Sequence, residues 1–136
     1  MNKVGTKVNG IFAIACTVLT YLFGGWDVAL IVLISFMVID YITGVSVAVI
    51  SKTLNSETGA RGLLKKLSII LMLIVGVLMD RLINDGTWVF RTLVAYFYIA
   101  NEGISIIENL SMLGVPVPQK IKRILEQLQS ENDGEE

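Results

Sequence analysis

The sequence predicts an all-α integral membrane protein, and three observations lead to that prediction. Hydrophobic residues make up 54% of the 136-residue chain and charged residues 17%, whereas soluble domains carry about 25% charged residues. The apolar residues are gathered into long runs, and a helix of about 20 such residues crosses a bilayer. The runs lack the alternation of a membrane barrel, so helices are expected to satisfy the backbone polar groups in lipid.

Four apolar runs define the predicted transmembrane helices, and a shorter amphipathic segment follows them. The predicted spans cover about residues 8–24, 28–50, 63–83 and 87–107, and the amphipathic helix covers about 118–129. We therefore divide the chain into a membrane domain, residues 1–113, and a cytoplasmic amphipathic helix with an acidic tail, residues 114–136.

The first two spans are expected to form a hairpin. The first has a basic flank and an apolar core, as a signal peptide does, but no small-x-small cleavage site follows, so we predict that it is retained. Gly24, Gly25 and Asp27 then suit a tight turn, because glycine breaks helices and aspartate is a good helix N-cap.

The third span is expected to begin at Leu63, after the mostly polar residues 51–62. Gly59 and Gly62 argue against a helix before Leu63. Lys65 and Lys66 are then expected to snorkel toward water at the start of the span.

Basic residues predict the orientation, because cytoplasmic loops carry an excess of Lys and Arg. They alternate along the chain as a four-span protein with both termini in the cytoplasm requires. A three-span protein is the alternative. Lys120, Lys122 and Arg123 open the C-terminal helix and are expected to hold it in the cytoplasm against anionic lipid.

The fourth span carries a stripe of mostly polar residues on one helical face. Its members follow at steps of three and four: Arg91, Ala95, Tyr98, Glu102, Ser105 and Asn109. A helix returns to the same face at such steps. A polar stripe on a spanning helix is expected to face a partner helix or water rather than lipid.

Two carboxyl groups are predicted at similar depth in the membrane. At about 1.5 Å per residue, Asp40 lies roughly 18 Å below the start of the second span and Glu102 roughly 21 Å below Trp88. We expect no cation at that level, so that at least one of these carboxyls is protonated. Asp80 and Arg91 both fall near the outer end and are predicted to form an ion pair there.

Three interpretations of the buried polar residues stay open. They are neutral hydrogen-bonding groups between helices, polar surfaces that line an aqueous lesion between copies of the chain, or a proton or ion relay. The predicted pore or oligomer surface consists of Asp40, Gly44, Arg91, Tyr98, Asn101, Glu102, Ser105 and Asn109. Gly44 and Ala48 form a small-xxx-small pair that permits close helix packing.

The composition argues against a membrane enzyme. The chain has no His and a single Cys, Cys16, and it shows no nucleophile–base pair, metal cluster or phosphate-binding loop. We therefore predict no catalytic residue, no metal and no cofactor. Three basic residues in the C-terminal helix are too few to predict nucleic-acid binding.

Several strings resemble the toxin-secretion/phage-lysis holin family. The resemblance rests on residues 40–44, 91–93, 98–103, 107–109 and 113–118, and it covers nearly the whole chain. It implies a small phage or phage-derived protein that accumulates in the bacterial inner membrane, forms homo-oligomers and opens lesions. An endolysin or a large toxin would leave as cargo, without necessarily touching the protein.

Two rival functions remain at this stage. A small homo-oligomeric ion channel or transporter subunit would conduct selectively without releasing a cytoplasmic protein. A structural or assembly subunit would bind a different partner and leave the membrane potential intact.

Overall fold

A computed structural model describes residues 3–133 as five α-helices, with no strand in that range. The helices are α1, Lys3–Phe23; α2, Val28–Ile50; α3, Ser56–Ile83; α4, Phe90–Met112; and α5, Gln119–Asp133. The side chains of residues 3–4 and 131–133, and the last three residues of the predicted acidic tail, lie outside the described residues. The all-α prediction is confirmed.

Three of the described helices, α1, α2 and α3, are long and apolar enough to cross a membrane. Helix α4 has similar length but carries the polar stripe, including Arg91 and Glu102, along its axis. It runs parallel to α2, because Arg91 near its start pairs with Asp27 at the start of α2 and Asn109 near its end reaches Thr43.

The predicted start of α3 at Leu63 is wrong, because the helix begins seven residues earlier, at Ser56. Asn55 caps this end, and its side-chain oxygen accepts a 2.7 Å hydrogen bond from the Thr58 amide. Gly62 lies inside the helix, where an added Cβ would stand 3.4 Å from the Tyr41 ring. The glycine therefore permits close packing on α2 instead of ending the helix.

Helix α4 is the centre of the fold and packs against α2, α3 and α5. Its buried apolar residues Ala95 and Ile99 belong to one core cluster with Leu33 of α2 and Leu73 of α3. The helix that carries the polar stripe is therefore the one on which α2, α3 and α5 pack.

Helix α1 differs from the other helices in that residues 5–21 are all exposed. It packs against α3, and the contacts described next lie at its C-terminal end, beside the turn that leads into α2. Phe23 is buried in the core, and Arg81 of α3 donates a 2.6 Å hydrogen bond to the Tyr21 carbonyl while stacking on the Tyr21 ring.

Candidate functional site

Three charged side chains from three helices meet inside the protomer. The Lys66 ammonium of α3 donates hydrogen bonds to Asp40 of α2 and to Glu102 of α4. Glu102 is 2% exposed, Lys66 11% and Asp40 13%. We call these three residues the inner triad. The expectation that no cation lies at this level is wrong, since one ammonium group serves both carboxylates.

A fourth side chain, Asn109, forms a hydrogen bond to the inner triad. Asn109 of α4 donates to Asp40 Oδ1 at 3.0 Å and to the Thr43 hydroxyl at 3.1 Å. Both acids thus have hydrogen-bond partners within a single chain, and both contact the same lysine. Helices of the same chain supply these partners without a second copy.

A cavity of about 230 Å³ opens beside the inner triad between α2 and α3. Small residues leave this space open, with Gly44 and Ala48 on α2 and Gly59 and Gly62 on α3. Asp40, Lys66, Ser105 and Asn109 supply its polar lining. The cavity is large enough and polar enough to hold water next to the charged groups.

A second polar cluster lies at the opposite end of α4, around Arg91. Its guanidinium contacts Asp27 at 2.7 and 3.1 Å, and it donates to the Phe23 carbonyl at 2.6 Å and the Gly25 carbonyl at 3.2 Å. The Arg91 side chain is 3% exposed. Its hydrogen bond lowers the pKa of the Asp27 carboxyl, which also caps α2 by accepting from the Leu30 amide.

The predicted ion pair between Asp80 and Arg91 takes a different form. Asp80 is fully buried, and it accepts hydrogen bonds of 2.8–3.0 Å from the backbone amides of Val89, Phe90 and Arg91. Its carboxylate therefore caps α4 from the neighbouring helix, because the first amides of a helix lack internal partners and favour negative charge. The Arg91 guanidinium forms its ion pair with Asp27 instead.

These contacts define an outer cluster of Asp27, Asp80 and Arg91. Gly76 of α3 makes the close approach possible, since an added Cβ would stand 3.2 Å from the Arg91 amide nitrogen. The outer cluster binds mainly backbone groups, whereas the inner triad binds side chains.

The remaining predicted residues lie outside the inner triad and away from Arg91. Tyr98 packs against the core, and its ring meets Phe97 edge to face at 5.1 Å. Asn101 points away from the inner triad and accepts a 3.3 Å hydrogen bond from Gln129 of α5. The three basic residues of α5, Lys120, Lys122 and Arg123, are exposed.

Sequence analysis missed two partners, Lys66 and Asp27. A helix that starts at Leu63 puts Lys66 at a membrane boundary, whereas the observed start at Ser56 does not. The available clue was Asn55, a strong N-cap residue followed closely by Glu57, which indicates a helix start ten residues before Lys66. A helix begun there places Lys66 well inside it.

Comparison with known proteins identifies the family. The bacteriophage holin family model matches residues 17–130. A Clostridium perfringens protein described as an uncharacterized 14.9 kDa protein in the nagH 3' region is 54% identical over 112 residues, covering 82% of this chain and 85% of the relative. YqxH of Bacillus subtilis is 38% identical and covers 83% and 79%.

A named phage relative agrees with this match. The protein called probable holin of Bacillus phage phi105 is 40% identical over 97 residues, covering 71% of this chain and 70% of the phage protein. No solved structure matches the chain. From the family match and the coverage of these relatives, the chain belongs to the bacteriophage holin family.

Proposed function

We propose that this chain is a holin that oligomerises in the bacterial cytoplasmic membrane and forms lesions or pores. Through them an endolysin, or a large toxin, leaves the cytoplasm for lysis or secretion. The function is permeabilisation and not catalysis, and its partners are other copies of the chain and the lipid bilayer. It needs no cofactor and no nucleic acid.

The observation that carries the proposal is the satisfied polar stripe of α4. Glu102 and Asn109 on this stripe are held by Lys66, Asp40 and Thr43 within one chain. Within the protomer the charged and amide groups of this stripe are thus paired without a second copy. Moving α2 or α3 away from α4 would expose the same polar groups, which water or another copy would then have to cover.

The proposed topology has four spans, with residues 1–113 in the membrane domain and both termini in the cytoplasm. The alternation of basic loops supports it, and so does the parallel course of α2 and α4, which requires one crossing between them. Residues 114–136 form a cytoplasmic amphipathic helix and acidic tail, and Lys120, Lys122 and Arg123 contact anionic headgroups.

Induced expression in bacteria tests the proposed function. Membrane potential and release of a cytoplasmic reporter enzyme are followed together, with reporters of increasing size. We expect an abrupt loss of potential at a set time, accompanied by reporter release. Loss of potential without escape of any reporter would instead indicate a narrow ion channel or transporter subunit.

Variants of the inner triad test the role of the stripe. Asp40→Asn and Glu102→Gln each remove one charge from the triad and are expected to shift the onset time. Glu57→Gln is the matched control, because its carboxylate is 79% exposed and pairs only with Arg61 on the surface of α3. Unchanged onset in both triad variants would remove these residues from the mechanism.

A further inference from the structure

Two arginines lie at the end of the bundle that carries the α1–α2 and α3–α4 turns, and they differ in their partners. Arg91 forms an ion pair with Asp27 and also donates to two backbone carbonyls. Arg81 of α3 forms no ion pair with any described residue, and its hydrogen bond goes to the Tyr21 carbonyl. Asp85 follows one turn later in the chain, but its carboxylate does not pair with Arg81 either.

The Arg81 guanidinium retains an unused donor. Its Nη1 atom is buried without a hydrogen-bond acceptor, and it is the only such side-chain atom found among the described residues. A buried donor without an acceptor costs free energy, and an unpaired charge costs more. The Tyr21 ring, whose centre lies 3.6 Å from Arg81 Cζ, attracts the cation but offers no acceptor oxygen in that contact. An acceptor from outside the chain would complete this site.

A groove of about 530 Å³ opens beside this guanidinium, between α1 and α3. Arg81 lines it from α3, and the facing residues are Thr17, Thr20 and Tyr21 of α1 with Gly24 and Gly25 of the following turn. In the described part of the chain no carboxylate lines this space. We call it the Arg81 groove, and Arg81 gives it a positive charge.

The Arg81 groove lies where an apolar surface meets a polar one. Leu82 and Ile83, which follow Arg81, are 80% and 57% exposed. The polar turn of residues 84–87 comes directly after them. Such a change from exposed apolar to polar residues is expected at a boundary between hydrocarbon and water.

Two tryptophans mark the same boundary. Trp26 donates a 2.9 Å hydrogen bond from Nε1 to the Thr20 hydroxyl, which lines the Arg81 groove. The Trp88 ring lies 5.9 Å from the Arg81 guanidinium. Tryptophan and tyrosine are enriched at the level of the lipid headgroups, so these neighbours place the groove at that depth.

The anion found at headgroup depth in a phospholipid bilayer is a phosphate diester. The planar fork of a guanidinium matches two phosphate oxygens at once, and the pair is strengthened by its charges. We propose that the Arg81 groove binds the phosphate group of a membrane phospholipid and that this lipid joins α1 to α3. The site does not depend on whether copies of the chain form lesions.

Native mass spectrometry of the full chain in a mild detergent tests this assignment. Phosphatidylglycerol, or a diacylglycerol glycolipid with the same acyl chains and no phosphate, is added to protein freed of lipid. We expect the first phosphatidylglycerol to bind at least about tenfold more tightly than the glycolipid, and Arg81→Gln to remove most of that difference. Arg61→Gln is the matched control on α3, because its side chain is 79% exposed and pairs with Glu57.

A second pair of variants tests the groove while keeping Arg81. Thr17→Phe fills the groove, and the Thr17 hydroxyl that it removes donates only to the Ala13 carbonyl of its own helix. Val18→Phe is the control, since Val18 is the next residue, is exposed and does not line the groove. We expect Thr17→Phe to lose the preference for phosphatidylglycerol and Val18→Phe to keep it.

The outcomes separate the lipid from other acceptors. Equal binding of the two lipids by the original chain, or an unchanged preference in Arg81→Gln or in Thr17→Phe, would overturn the proposal. Displacement of phosphatidylglycerol by an equal concentration of inorganic phosphate would assign the groove to free phosphate instead. If Arg81→Gln lowered the number of associated copies and left lipid binding unchanged, the missing acceptor would belong to a second copy and the lipid assignment would fail.

Discussion

The outer cluster and the inner triad hold the same helix, α4, by different chemistry. In the outer cluster, Asp80 and Arg91 bind backbone amides and carbonyls, which are fixed by the helix ends and the turn that they belong to. In the inner triad, Lys66 binds two carboxylates on long or flexible side chains beside a cavity. Because backbone groups in a helix end are less free to move than side chains, we expect the outer cluster to anchor α4 more rigidly than the inner triad does.

The largest expected effect follows from removing the anchor. Asp80→Ala leaves the Phe90 and Arg91 amides without that acceptor, whereas the Val89 amide keeps the Thr87 carbonyl. Each unpaired donor costs about 1–3 kcal/mol, so we expect a loss of about 2–6 kcal/mol in the free energy of unfolding. Titration with SDS in mixed micelles, followed by tryptophan fluorescence, measures this loss. Trp88 lies against Gly24 beside the cluster and provides the signal.

Two variants give the reference for that measurement. Asp80→Asn keeps one oxygen acceptor and should lose less stability than Asp80→Ala. Asp85→Asn removes a carboxylate from the exposed neighbouring turn, where the backbone has a φ of 50° that asparagine tolerates. If Asp85→Asn and Asp80→Ala were equally stable, the anchor would not exist.

The next effect follows from breaking the inner triad. Lys66→Met leaves two carboxylates in a mostly buried site, and loss of one partner of a buried ion pair costs about 3–5 kcal/mol. Because water in the adjacent cavity can reach Asp40, we expect the helices to stay folded while α2, α3 and α4 separate there. Earlier loss of membrane potential, with unchanged helix content by circular dichroism, is the expected result.

A neighbouring lysine and a double variant control this prediction. Lys65→Met removes the same charge from an exposed position next in sequence and should leave the onset time unchanged. Adding Glu102→Gln to Lys66→Met removes the uncompensated repulsion and should move the onset back toward the original value, since residues in contact are not additive. An onset that does not respond to Lys66→Met would contradict the proposed opening.

A pair of glycine substitutions compares the rigidity of the two ends. Gly76→Ala places a methyl group 3.2–3.3 Å from backbone atoms of Phe90 and Arg91, which cannot turn aside. Gly103→Ala places one against the ends of the Leu125 and Phe36 side chains. Overpacking typically costs about 1–3 kcal/mol, and we expect Gly76→Ala to lie at the high end of that range.

The SDS titration and a double variant separate the two sites. Gly103→Ala should cost less stability in a Leu125→Ala background than in the original chain, because the nearest atoms to the added methyl belong to that side chain. A larger loss from Gly103→Ala than from Gly76→Ala would show that the inner end is the more rigid one.

The smallest expected effect is a pH dependence at the outer cluster. The hydrogen bond from Arg91 lowers the pKa of Asp27 below its ordinary value of 3.8. A carboxyl with a lowered folded-state pKa contributes stability above its unfolded pKa and loses that contribution as the pH falls through the folded value. The protein should therefore lose a small part of its stability below pH 3.8, measured by thermal unfolding in detergent at successive pH values.

Asp27→Asn provides the comparison for the pH series. Asparagine still caps α2, since it is as good an N-cap as aspartate, but it has no proton to gain in this range. The variant should therefore lack the contribution of this group to the acid-induced loss. An identical pH profile in both proteins would assign the loss to other carboxyls.

The stripe on α4 illustrates what could be predicted about the site. Steps of three and four along one helix place Arg91, Glu102 and Asn109 on one face whatever surrounds them, so the inward polar surface was available from sequence. Their partners were not. Whether Glu102 meets Lys66 depends on the register between α3 and α4. That register depends in turn on where α3 begins, after the Asn55 cap, and on the glycines of α3 that face Tyr41.

By itself, the sequence determined the class of protein, the helical segments and the face of α4 that carries the polar groups. These follow from composition and from periodicity within single segments, which are local properties. Only the tertiary structure decided that Lys66 joins Asp40 and Glu102, that Asp80 caps α4 while Arg91 takes Asp27, and that α5 returns along α4. Each of these depends on the relative position of separate helices, which close packing sets and no single segment encodes.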